Sequence, residues 1–155
     1  MRTLSNPYSG CDLDSCGFYR ANLHTHSTIS DGSADLPEVV ERYYSLGYDI
    51  LCMTDHGVVG KGWTAPPRPI PPFNLLQKSH PVSVRRAGEI ARGVGRGGRG
   101  MVDMPLGIEH NIAVFRKNHV NGYFCDAGRG DFGKENDHLT AVKKIDAAGG
   151  LSVLN

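Results

Sequence analysis

The sequence predicts an α/β domain in which parallel strands are covered by outer helices. Three observations carry that expectation. A strand-like run, an amphipathic helical run and a second strand-like run follow one another over residues 19–54. The second strand, Ile50-Leu51-Cys52-Met53, is continuously apolar, as befits a strand buried on both faces. Polar, metal-competent side chains fall just past the ends of both strands, the rim where chemistry collects in parallel α/β folds.

The elements follow in order. Residues 1–16 are turn-rich and read as a surface extension, with the domain itself at 17–155. Tyr19 to Leu23 reads as a short strand delivering His24 and His26, and Thr25 to Ser33 as a polar loop with a turn at Asp31-Gly32. A helix starts after Asp35, a good N-cap that Glu38 completes as a capping box, with Pro37 tolerated in the first turn. Leu36, Val39, Val40, Tyr43 and Leu46 form its apolar stripe, and Gly47 ends it. The strand at 50–54 then leads to Asp55-His56-Gly57.

Residues 57–102 break the rhythm and read as an irregular Pro/Gly/Arg-rich insertion. Pro66, Pro67, Pro69, Pro71, Pro72 and Pro81 exclude a regular helix over 57–81. Val84, Ala87 and Ala91 suggest a short helix, and the glycine-arginine tract from Gly93 to Gly100 is expected to be mobile. Its Gly93-x-Gly95-x-x-Gly98 pattern follows a helix rather than a strand, which excludes the dinucleotide-binding reading. Order returns at Met104, in a run that ends at Glu109, and His119 to Phe124 reads as another strand. A last helix over about 137–148 carries Leu139, Val142, Ile145 and Ala148, Gly149-Gly150 stops it, and Leu151 to Leu154 begins a buried strand.

Composition is ordinary for a soluble globular protein: 155 residues, 39% hydrophobic, 21% charged, net charge +1. The charge is unevenly spread, −5 over residues 1–56, +7 over 57–102 and −1 over 103–155. A carboxylate-rich start before an arginine-rich middle suits a metal site beside an anion-binding surface, and equally a solvated loop region. Arg85, Arg86, Arg96 and Arg99 are the candidates for contacting a phosphate. Cys11, Cys16, Cys52 and Cys125 show no CxxC spacing, and Cys52 reads as a packing residue. No apolar stretch approaches the roughly 20 residues of a membrane span, and the polar start lacks the apolar core of a signal peptide, so a cytoplasmic location is expected.

Six residues make a ligand set. Alternate strand residues share a face, so His24 and His26 can both reach one ion. Asp31 adds a carboxylate on the next loop, and His56 an imidazole at the end of the second strand. Glu109 closes a later strand and His119 opens the next. Imidazole mixed with carboxylate suits Zn, Mn or Fe rather than Ca. Asp55 is expected behind the ligands, orienting an imidazole. His80, His110 and His138 read as structural or solvent-facing.

The segments NLHTHSTISDGS, YDILCMTDHG, GIEHN and HVNGYF resemble the PHP (polymerase and histidinol phosphatase) family. The likeness rests on the HxH motif, an Asp five residues after its second His, and a Thr-Asp-His run ending 30 residues after that His. A G-x-E motif and a later His before a short apolar-aromatic strand complete it. The resemblance implies the N-terminal portion of a distorted (β/α)7 barrel carrying two or three divalent ions (Mn, Zn or Fe) at its rim. It implies that His24 and His26 hold one metal with Glu109, that Glu109 bridges two ions, that His56 serves the second, and that His119 holds the second or third. Asp31 is implied as a ligand or near-ligand. Together Glu109, His119 and Asp31 would stand closest to the chemistry, the metal-dependent hydrolysis of a phosphoester. The implied substrate is a phosphorylated small molecule or nucleotide, with a short nucleic acid as a further option. The family pattern continues past Asn155 with a His-Pro and a later D-x-H pair, so the expectation is a domain cut short. The alternative is a non-catalytic or impaired metal-binding module.

Overall fold

The computed structural model describes residues 8–67, 80–111, 119–126 and 137–155. Expectations that fall on residues 1–7, 68–79, 112–118 and 127–136, among them the first part of the surface extension and Pro69, Pro71 and Pro72, lie outside the described residues.

Strand β1 (Ala21–Asn22) leads through helix α1 (Leu36–Ser45) to β2 (Ile50–Cys52), and helix α2 (Val84–Ala91) leads on to β3 (Val102–Met104). These strands form one parallel sheet in the order β1-β2-β3, as the repeated strand-helix-strand pattern requires. Helix α1 begins where expected, but the capping box does not form. The Asp35 carboxylate accepts from the Leu36 amide, and from the His80 amide and ring nitrogen at 3.2 and 2.6 Å. At the other end Gly47 takes φ +84° while the Tyr48 amide reaches back to Tyr43 O, a glycine-ended helix terminus. Leu36, Val39, Val40 and Tyr44 of α1 pack on Leu51 and Met53 with Trp63, Ile90 and Met101.

The second half departs from an all-parallel expectation. Strands β4 (Ile108–Asn111), β5 (His119–Tyr123) and β6 (Leu151–Leu154) pair antiparallel in that order. Helix α3 (His138–Ala147) covers one face through Ala141 and Ile145, which meet Val120 and Cys125. The expected stripe on α3 is rotated: Leu139 is exposed and the smaller Ala141 is buried. Strand β6 is not the buried strand expected, since Leu151, Val153 and Leu154 are all exposed. The two sheets meet through a parallel bridge between His56 and Glu109, with the Gly57 amide donating to Glu109 O. A β-carbon at Gly107 would overlap Cys52 Sγ and Met53 O, so glycine allows this close approach.

The glycine-arginine tract is ordered, against expectation. The buried Asp49 carboxylate accepts from Arg99 Nε and Nη2 at 2.6 and 2.7 Å, from Arg96 Nη2 at 3.3 Å and from the Arg20 amide at 2.8 Å. Arg99 also donates to Phe18 O, and Arg96 to Tyr48 O. The Arg99 fork and the Arg20 amide hold the Asp49 carboxyl well below the usual carboxylate range. A depressed folded-state pKa stabilises the fold above the unfolded value of about 4 and is lost as pH falls through the folded one. Asp49→Asn should therefore lower the urea midpoint at neutral pH, and the gap to the parent protein should close as the pH drops below about 4. A gap that stays constant down to pH 3 would show that the ionised carboxylate is not what stabilises.

Arg85 and Arg86 are likewise bound to carboxylates, Arg85 to Glu89 and Arg86 to Glu41 and Glu89. The four guanidiniums expected to meet a phosphate are thus all engaged within the fold. Among the described residues no helix is long and apolar enough to cross a membrane.

Candidate metal centre

The six side chains nominated by the sequence come together at one place. His24 and His26 follow β1, Asp31 sits on the loop after it, and His56 lies just past β2. Glu109 is the second residue of β4, not the end of a strand as expected, and His119 opens β5. In β5, His119, Asn121 and Tyr123 share the face turned to the site, while Val120 and Gly122 face α3.

Glu109 is the hub. Its side chain is 1% exposed, with Oε2 2.6 Å from His26 Nε2, 3.4 Å from His56 Nδ1 and 3.7 Å from His24 Nε2. Its Oε1 lies 2.8 Å from His119 Nδ1 and accepts from the Asn155 amide at 2.8 Å. Asp31 is 2.7 Å from His26 Nδ1 and 3.4 Å from His56 Nε2. Burial alone would raise the Glu109 carboxyl, but His26, the Asn155 amide and the His56 ring overcome it and hold it down at about 2. Burial would lower His26, yet the Glu109 and Asp31 carboxylates beside it push it up to about 9. His56 goes the other way, lowered by burial and by the neighbouring His26 and His119 rings.

These residues fit divalent ions. His26 Nε2, His56 Nδ1 and Glu109 Oε2 are buried and make no hydrogen bond among the described residues. The 2.6 Å approach of His26 to Glu109 is close but misaligned for one. Buried polar atoms left that way are rare and call for something between them. The side chains form three overlapping triplets, His24-His26-Glu109, His26-Asp31-His56 and His56-Glu109-His119, the ligand atoms of each lying within 4.8 Å of one another. Nitrogen with carboxylate oxygen is the donor mixture of Zn, Mn and Fe sites.

Local structure explains the convergence. The loop folds back on itself, with the Gly32 amide donating to Ser27 O and the Thr28 amide to Ala34 O. A β-carbon at Gly32 would lie 2.7 Å from the His26 carbonyl carbon and from Ser27 Cα. Only glycine lets the loop close tightly enough to bring Asp31 over the His26 ring. Asp55 does not orient an imidazole, as expected of it. It is buried and accepts from the Ser27 amide at 2.8 Å and from the Ser27 and Ser30 hydroxyls, so it holds the loop instead.

Imidazole orientation falls to residues the sequence reading passed over. Thr54 Oγ1 is 3.2 Å and Asn121 Nδ2 2.7 Å from His24 Nδ1. Asn155 Nδ2 is 3.3 Å from His24 Nε2. Two signals were present: Asn121 is two residues from His119 and so shares its strand face, and Thr54 precedes Asp55-His56. The remaining histidines stay apart. His80 pairs with Asp35, and His138 starts α3. His110 is fully buried on the opposite face from Glu109, where burial pushes it down to about 4.

A family model described as PHP domain matches residues 22–144. The chain belongs to the PHP family. The matched span contains all six clustered side chains, and PHP domains as a family are metal-dependent phosphoesterases. No curated protein matches the chain. The matched span holds the His-x-His of His24 and His26 and the Thr-Asp-His run of Thr54, Asp55 and His56.

Proposed function

We propose that the protein hydrolyses a phosphoester at a cluster of two or three divalent ions held by His24, His26, Asp31, His56, Glu109 and His119. The observation that carries this reading is the buried Glu109 carboxylate, faced by four imidazoles of which two aim unbonded nitrogens at it. His24 and His26 would share one ion with Glu109, and His56 and His119 a second. Asp31, with His26 and His56, would complete the third triplet. Divalent ions in such a site supply Lewis acidity, making bound water acidic near neutral pH and neutralising charge on a phosphate.

The chain's own residues do the rest. Glu109 fixes the spacing of the site and, ionised, balances the positive charge within it. The Asp31 carboxylate is 67% exposed, so it is the group placed to meet an incoming substrate and take up a proton from attacking water. Burial raises its carboxyl, but the His26 hydrogen bond and the His56 charge outweigh that and keep it ionised. His119, 29% exposed, stands beside Glu109 to position the ester. The substrate class is a phosphorylated small molecule or nucleotide, or a short nucleic acid. The same reading takes the two sheets as parts of one distorted barrel, supported by the His56–Glu109 bridge and by the Tyr123 hydroxyl on Leu23 O at 2.9 Å.

The test is elemental analysis of the purified protein followed by hydrolysis of an aryl phosphate with Mn²⁺ added. Bound metal and metal-dependent turnover are expected, with turnover abolished by His26→Ala. Absence of bound metal would defeat the proposal. Metal without turnover would make the protein a metal-holding module, not a hydrolase.

A further inference from the structure

The six ligand side chains leave one question that their own geometry does not answer: what fixes the direction of the His24 ring. An imidazole binds metal through an unprotonated nitrogen, and which nitrogen that is depends on the hydrogen bond made by the other. His24 turns Nε2 toward Glu109, 3.7 Å away, and Nδ1 away from it. For Nε2 to offer a lone pair, Nδ1 must carry the proton and needs an acceptor.

Two groups meet Nδ1. Thr54 Oγ1 accepts from the Thr25 amide at 3.1 Å and donates its own hydrogen to Thr25 O at 3.4 Å. With that hydrogen on Thr25 O a lone pair faces His24 Nδ1 at 3.2 Å, while a turn of the hydroxyl donates to Nδ1 instead, so Thr54 fits either tautomer and selects neither. The second is Asn121, 2% exposed, whose Nδ2 lies 2.7 Å from Nδ1. In that orientation the amide donates to Nδ1, which places the ring proton on Nε2, the side facing Glu109, where the Asn155 Nδ2 donor also lies at 3.3 Å and is directed to Glu109 Oε1 instead. Its Oδ1 is buried and makes no hydrogen bond among the described residues. A carboxamide has a donor and an acceptor related by a half-turn of its terminal torsion, so it serves either tautomer without moving its backbone.

We infer that Asn121 is the positioning residue that sets the His24 tautomer, its amide donating to Nδ1 in the metal-free protein and turning over to accept from Nδ1–H when an ion is held at Nε2. The inference rests on the proposed metal centre. Asn121 lies opposite Glu109 in the β4–β5 register, so the residue that orients His24 and the carboxylate that faces it share one cross-strand pair. Removing the amide leaves only Thr54 Oγ1 at Nδ1, so the ring proton is no longer held to one nitrogen. Aspartate keeps an oxygen for Nδ1–H but has no donor for the opposite tautomer.

Zn²⁺ is the probe, its affinity read by chelator competition and the His24 tautomer by long-range ¹H–¹⁵N spectra. The parent protein with Zn²⁺ should show His24 protonated at Nδ1. Asn121→Ala should weaken Zn²⁺ by about 10- to 100-fold, the usual effect of losing such a partner. Asn121→Asp should stay within about tenfold of the parent. Should Asn121→Ala fail to fold, the Asp variant and the spectra still decide. Unchanged Zn²⁺ affinity in Asn121→Ala would overturn the inference. So would Asn121→Asp losing affinity as severely as alanine does, or a Zn²⁺-loaded His24 protonated at Nε2. A parent protein that binds no Zn²⁺, Mn²⁺ or Fe²⁺ would instead defeat the metal centre itself, a separate result.

Discussion

Glu109→Gln is expected to weaken metal binding by more than about 100-fold, beyond the effect of losing an outer partner, because one carboxylate serves two of the three ligand triplets. The amide matches the carboxylate in size, so the β4–β5 pairing that carries it has no reason to change. What goes is the negative charge that faces four imidazoles at 2.6 to 3.7 Å. The raised His26 should fall back with it, since Glu109 is one of the two carboxylates that push it to about 9. Metal per chain after desalting, together with a thermal melt, reads both parts. A folded variant retaining the parent's metal content would show that Glu109 is not the shared ligand.

Trp63→Ala should cost about 3–5 kcal/mol, the range for removing a large buried side chain from a core. Trp63 is 2% exposed and packs with α1, β2 and Met101. Its backbone is also pinned, the amide to Asp103 Oδ2 at 2.6 Å and the carbonyl to the Val82 amide at 2.9 Å, so the segment cannot collapse to fill the space. Against a typical total of about 5–15 kcal/mol the variant would stand near the edge of unfolding. Urea unfolding followed by circular dichroism gives the value, because the variant lacks the protein's single tryptophan. A loss below about 1 kcal/mol would place Trp63 outside the core.

What was legible in the sequence was local. Asp35, the stripe of Leu36, Val39 and Val40 and the terminal Gly47 define α1 within a dozen residues, and Ile50 to Met53 can be little but a buried strand. Tyr44, however, is buried where Tyr43 and Leu46 were expected, Tyr43 being only partly buried and Leu46 exposed. The six clustered side chains could be nominated from the sequence because their chemistry is rare, although Asp31 lies on a loop and Glu109 inside β4. The rest depends on partners distant in the chain. The glycine-arginine tract looks mobile by composition, and it is partners distant in the chain that hold it, Asp49 about 50 residues away together with Phe18 O and Tyr48 O. Pairing direction in β4-β5-β6 is not encoded by apolar periodicity, which fixes faces but not neighbours. In α3 the large Leu139 suggested one face, while the small Ala141 sits under β5 because a close approach needs a small residue there. Asp55 has the chemistry of an imidazole partner, yet two serines reach it first.

The seam between the two sheets has a thermodynamic consequence. His24, His26, Asp31 and His56 belong to the half built on α1 and β2, and Glu109 and His119 to the half packed under α3. Each half has its own apolar cluster, and either could in principle loosen alone. An ion held by ligands from both would bind only when the halves are together, so it would act as a cross-link whose strength is set by concentration. Free metal at a hundred times its dissociation constant would add about 2.7 kcal/mol to the assembled fold. The melting temperature of this domain should then be a readout of metal supply, and chelation should make its two halves melt less as one.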